Sequence, residues 1–197
     1  MPKIKSYPVF DFDELSPEIK EKAIENLRDV NVDDEYWSEC TLDDWKERLE
    51  ARGYKNPDIS YSGFCCQGDG ASFTCDSVDL PKWLKATCNK GRFAPVMKWI
   101  KKNEVYFTAR VERDDRRYSH EYTVSAEVDF DFDDYPALVY ELRDAITEDV
   151  RDLSRQIYKD LERDYDSLIS DEAVIDTIEA NEWTFDGRGN LDNLGKV

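Results

Sequence analysis

The feature that most limits what this chain can fold into is an apolar stripe toward its C-terminal end. Leu138, Leu142, Ile146, Val150, Leu153, Ile157 and Leu161 recur at intervals of three and four residues, the period of one helix face. Glu141, Asp144, Glu148 and Asp152 fall on the opposite side. The pattern predicts a single helix of about 30 residues after Pro136, roughly 45 Å long. It is the largest element in the sequence, and the rest of the chain has to cover its apolar face.

What precedes it alternates between two periods. Ser16-Pro17-Glu18 is a helix start, and Ile19, Ala23 and Leu27 carry that helix over about 16–29. A second helix opens at Asp33-Asp34, lines Trp37, Thr41, Trp45 and Leu49 on one side, and stops at Gly53. Period two then takes over. Ile59, Tyr61 and Gly63 alternate with polar neighbours, and Ser72 to Cys75 continues after QGDG, which predicts a hairpin with a four-residue connection. Short helices follow from Asp79 through Leu84 and over 94–102, the second with Val96, Trp99 and Ile100 inward. Val105, Phe107, Ala109 and Val111 then alternate. After the turn RDDRR, Tyr118, His120, Tyr122, Val124, Ala126 and Val128 do the same, giving a second hairpin with one buried face. Beyond the long helix, another is predicted at about 171–181, and 182–197 reads as a terminal hairpin or arm around Asp186-Gly187. The order predicts the α+β class: an antiparallel sheet of two hairpins covered by helices, in one domain over 1–197.

Charge narrows the function. The chain of 197 residues has a net charge of −18. Residues 1–50 carry 15 acids against 7 bases, and 129–164 carry 12 against 5. Between them, 82–102 holds seven bases and no acid, and reads as a basic helical insertion. Such a field repels nucleic acid and anionic membrane and draws in basic partners. Five Trp, eleven Tyr and nine Phe argue against an acidic disordered chain. No stretch is apolar enough for a membrane span, and MPKIKSYPVF has neither an apolar core nor a small-residue cleavage site. The expected location is the cytoplasm. Five cysteines with no repeated spacing fit reduced thiols better than a disulfide framework.

Two groups of residues stand out as candidate sites. The first is acidic. If 129–133 is extended, Asp129, Asp131 and Asp133 share one face at about 6.7 Å intervals, and Asp134 and the helix acids Glu141, Asp144, Glu148 and Asp152 continue the row. Three readings apply: a solvated edge that deters aggregation, a carboxylate cluster for a divalent cation, or a ladder that imitates nucleic-acid phosphates. The second group is the run from Gly63 to Phe73. Gly63, Phe64, Gln67, Gly68, Asp69, Gly70 and Ser72, with the sole histidine, His120, are candidates for holding a small nucleotide-like ligand. A tight hairpin with an Asx turn at Asp69 is the structural alternative. Cys65 and Cys66, adjacent on a strand, would point to opposite faces, so no zinc site is expected from them. In 82–102, Trp83, Phe93 and Trp99 lie among lysines. That suits a nucleic-acid grip or internal pairing of the bases with acidic helices. No catalytic residue, cofactor or metal site is assigned.

The stretches ELSPEIKEKAIENLR, DDEYWSECTLDDWKE, SGFCCQGDGASFT, RRYSHEYTVSAEV and EANEWTFDGRGN together resemble a family of small proteins found widely in bacteriophage and prophage genomes. The run GF-x-x-QGDGASF is its most specific part. The resemblance implies no catalytic residues. Proteins of this family are generally of unassigned function. A phage source, taken with the small size, the acidity and the lack of an enzymatic motif, leads to the expectation of a phage-encoded, non-enzymatic inhibitor in the host cytoplasm, of anti-restriction or anti-CRISPR type. Its partner would be a host protein with a basic surface: a defence complex, nuclease or regulator. No direct contact with nucleic acid or membrane is expected.

Overall fold

The computed structural model describes residues 7–114, 117–131 and 136–192. In chain order the elements are β1 (Phe10–Asp11), α1 (Pro17–Asn26), α2 (Glu39–Arg52), β2 (Tyr54–Lys55), β3 (Asp58–Ser62), β4 (Gly70–Thr74), β5 (Ser77–Val78), α3 (Leu80–Ala86), α4 (Ala94–Asn103), β6 (Phe107–Arg113), β7 (Val124–Phe130), α5 (Leu138–Leu168), α6 (Asp171–Ala180) and β8 (Thr184–Phe185). Every strand pair is antiparallel, and the class is α+β as predicted. Among the described residues, no helix is long and apolar enough to cross a membrane. The chain forms two compact units. One runs from Glu39 to Glu162, and the other joins the residues up to Ser38 to those from Arg163 onward.

In the unit 39–162, β3 pairs with β4 and β6 with β7. Cys75 and Val111 exchange both backbone hydrogen bonds at 3.2 Å, which ties the end of the first hairpin to the second. Phe73, Ala109, Val111 and Ala126 turn inward, and so do Leu142, Ile146, Val150, Ile157 and Leu161 of α5. The amide of Ala126 donates to Thr147 Oγ1 at 3.0 Å, fastening β7 to the long helix. The helix has 31 residues. Leu138 is only half-buried, and Val139 takes the first inner position. From Val139 to Leu142 to Ile146 the spacing keeps the alternation of three and four that holds a stripe to one side.

Several boundaries differ from the sequence pattern. The first hairpin has a seven-residue connection, 63–69, because Gly70 already pairs with Ser62. The second strand of the other hairpin begins at Val124 and not at 118. Residues 121–123 form a 3-10 turn, closed by the Thr123 hydroxyl donating to His120 O at 2.7 Å. The apparent period two before it is surface, since Tyr118 and Tyr122 are 47% and 58% exposed. Residues 35–38 are likewise a 3-10 turn, so α2 proper starts at Glu39.

In the other unit, Phe12, Leu15, Ala23, Ile24, Val174, Ile178 and Phe185 form one buried cluster. β8 pairs with β1, Phe185 opposite Phe10, and the chain turns back so that Phe185 also bridges Leu191. The Asp186 carboxylate closes that turn by accepting from the amides of Arg188 (2.8 Å) and Asn190 (2.9 Å). Hydrogen bonding, chiefly from the Asn190 side chain, holds Asp186 below the usual carboxylate range.

A buried polar hub joins four elements of the unit 39–162. Asp149 of α5, its side chain 12% exposed, accepts from Tyr54 Oη (2.7 Å), Trp83 Nε1 (2.9 Å) and Arg52 Nε (2.9 Å). Tyr54 and Trp83 are fully buried. A tyrosine hydroxyl and an indole N–H that deep need an acceptor, and one carboxylate serves both while pairing with Arg52. Burial, followed by the Asp149 charge, raises the Tyr54 hydroxyl well above the ordinary tyrosine range.

Two outcomes follow for stability. Asp149→Asn removes the charge and faces an amide N–H toward donors. It should cost about 2 kcal/mol in urea denaturation at neutral pH, the pair being partly exposed through Arg52. A loss under ~0.5 kcal/mol, typical of a surface change, contradicts the hub. Burial also pushes the Cys75 thiol up, from an ordinary value of 9.0 to about 11. The thiol is held neutral in the folded state, so its contribution is complete below pH 9.0 and disappears as pH rises through about 11. Denaturation between pH 9 and 11 should therefore show a falling stability that Cys75→Ala flattens; identical slopes in the two proteins refute it.

Candidate functional site

The run 63–73 owes its glycines and its aspartate to its own architecture. Asp69 N donates to Cys66 O at 3.1 Å, closing a turn across Gln67-Gly68. The Asp69 carboxylate reaches back, Oδ2 accepting from the amides of Cys65 (2.9 Å) and Cys66 (2.6 Å). Gly63 has φ +38°, and a Cβ there would sit 2.7 Å from Asp69 Oδ2, so only glycine lets the carboxylate close in. Gly70 is buried. A Cβ on it would lie 3.0 Å from the His120 ring and 3.1 Å from Ser119 O. Phe64 stacks between Tyr61 (5.8 Å) and Tyr158 (5.5 Å). Ser72 faces inward at 1% exposure. Gln67 and Gly68 stand at the exposed tip. Among the polar groups proposed to meet a ligand, Asp69 is the one that holds the loop shut.

The same turn brings together what a strand would have separated. Cys65 and Cys66 lie in the connection, not in β3 or β4, and both are exposed. Their sulfurs and an Asp69 carboxylate oxygen all lie within 4.8 Å of one another. The Asp69 charge, with the neighbouring Cys65, raises the Cys66 thiol above its ordinary value.

His120 precedes the 3-10 turn instead of pointing from a strand. Its Nδ1 lies 3.0 Å from Glu121 Oε2 and 3.3 Å from the Tyr122 amide, and its ring stacks on Tyr122 at 5.4 Å. These contacts make it a cap for the turn that packs on Gly70.

The acidic residues divide into two populations. On α5, Glu141 pairs with Arg92 (3.0 Å), Asp144 with Arg143 (2.7 Å), Glu148 with Arg151 (3.3 Å), and Asp152 with Arg155. The bond to Asp144 is the main cause that raises the Arg143 guanidinium. Exposed pairs of this kind add little stability, yet each places a positive charge beside the negative one. On the strand, Arg110 of β6 stands directly across from Glu127 and is the arginine that the row faces. Asp129 and Asp131 are exposed on the outer side of β7 and just beyond it. Asp131 Oδ1 accepts from the Tyr106 amide at 3.1 Å. Glu127, two residues before Asp129 and also exposed, extends the row; its signal in the sequence is the same alternation. Asp133 and Asp134 lie outside the described residues.

In the basic segment, Trp83 and Phe93 are fully buried, and Trp99 packs edge-on to Phe130 at 6.3 Å. A stacking platform for bases is thus not presented by Trp83 or Phe93. What α3 and α4 do present is a groove of about 390 Å³. Pro81, Leu84, Ala94 and Met97 line it, with Lys85, Lys90, Lys98 and Lys101 alongside. Arg92 pairs with α5 through Glu141, an internal pairing of the kind the charge pattern suggested.

Comparison with known proteins gives one match. A family model described as a domain of unknown function, DUF8835, covers residues 37–171. No curated protein and no solved structure matches the chain. The matched span includes the 63–69 turn, both hairpins and the whole of α5. The chain belongs to the DUF8835 family.

Proposed function

We propose that this protein acts by binding and not by catalysis, as a phage-encoded inhibitor that sits on the basic surface of a host defence or nucleic-acid-handling protein. The observation that carries the reading is the row Glu127, Asp129 and Asp131. It stands exposed on one side of a hairpin whose other side is core. Along a strand, alternate residues advance about 6.7 Å, close to the axial rise of two phosphates on one DNA strand, about 6.8 Å. A basic groove built for phosphates can accept such a row. The helix acids play a smaller part in this reading, because their arginine partners offset them. Host cytoplasm is the setting that the proposal requires. A ligand-sequestering role for 63–73 draws less support, since Asp69 holds the loop closed and Gly70 is packed under His120.

The test is affinity capture from a bacterial lysate on immobilised protein, eluted with rising salt. A basic partner should release steeply between low and moderate ionic strength. Asp129→Lys/Asp131→Lys should abolish its retention. Glu47→Lys/Glu50→Lys, the same charge change on the exposed side of α2, should weaken it little. Equal loss in both double variants, or no loss in the first, refutes the strand-row assignment.

A further inference from the structure

We propose that Cys65, Cys66 and Asp69 form a binding site for a thiophilic divalent cation of the zinc class. Three donors converge there, two sulfurs and one carboxylate oxygen within 4.8 Å of one another. A cation of this class takes ligands from a short turn, commonly two residues apart in a C-x₂-C spacing. Cys66-Gln67-Gly68-Asp69 has that spacing with a carboxylate in place of the second thiolate, and Cys65 adds a third ligand. The turn exists without the ion, closed by the Asp69 amide on Cys66 O. Asp69 is also aimed beforehand. Oδ2 is held by two backbone amides, which fixes the carboxylate beside the two thiols. Below, the stack of Tyr61, Phe64 and Tyr158 fixes the base of the loop.

The donor set selects the metal. Two sulfurs suit zinc and its soft neighbours, whereas calcium requires six to eight oxygens. On binding, each thiol S–H is replaced by a sulfur–metal bond and its proton goes to solvent. Two thiolates and one carboxylate then surround a charge of +2. Cys65 and Cys66 are exposed, so a fourth position opens to water or to a donor from a partner. The strongly negative protein favours the approach of any cation.

The experiment is calorimetric titration of the reduced full-length protein with Zn²⁺ alone, repeated with Co²⁺ to read sulfur-to-metal charge-transfer absorption. Expected are one ion per chain, about two protons released, and a charge-transfer band. Cys65→Ser and Cys66→Ser should each weaken binding at least tenfold and reduce the band. Both positions are exposed, and circular dichroism verifies that the variants fold. Cys40→Ser and Cys88→Ser, exposed thiols elsewhere, should change neither reading. The proposal is overturned by absence of saturable binding, by binding that survives in Cys65→Ser/Cys66→Ser, or by binding that depends on Cys88.

Discussion

Asp149 is the constraint on which the larger unit depends. A carboxylate inside a helix that otherwise buries leucine, isoleucine and valine has to be paired. Here it meets the end of α2 through Arg52, β2 through Tyr54 and α3 through Trp83. Apolar packing along α5 tolerates sliding by a turn, because the stripe repeats. One carboxylate with three specific donors does not. The hub therefore sets the register of the long helix against α2, β2 and α3, and so where the outer residues of α5 fall.

That register has an electrostatic consequence. Arg143, Arg151 and Arg155 sit beside the acids of the same helix, so its outer side is a mosaic of both signs. The hairpin β6–β7 places Glu127, Asp129 and, just beyond, Asp131 outward, with one arginine, Arg110, directly across from Glu127. The strand row thus sets three exposed carboxylates against one facing arginine, Arg110, whereas each of these helix acids has its own. Net charge alone does not distinguish these surfaces; the pairing does.

Much of the fold was legible because its signals were periodic. The stripe from Leu142 to Leu161, the alternation from Phe107 to Val111 and the Ser16-Pro17 start each map onto an observed element. What was not legible came from contacts distant in sequence. Gly70 pairs with Ser62 where His120 and Ser119 leave no room for a Cβ, and no local pattern shows that. Tyr118 and Tyr122 imitate strand alternation while standing in a surface turn. Asp149 reads in sequence as one more helix acid, yet it is the buried one. The cysteine pair was misplaced for a related reason: extending β3 through residue 66 sends the thiols apart, and the Asp69 turn brings them together.

If the strand row is the binding surface, its carboxylates are covered in the complex. Carbodiimide labelling of carboxylates, read by mass spectrometry on the protein alone and in complex with its captured partner, tests this most directly. Glu127, Asp129 and Asp131 should lose reactivity in the complex while Glu47 and Glu50 keep theirs. Unchanged labelling of the strand row in a complex that demonstrably forms contradicts it.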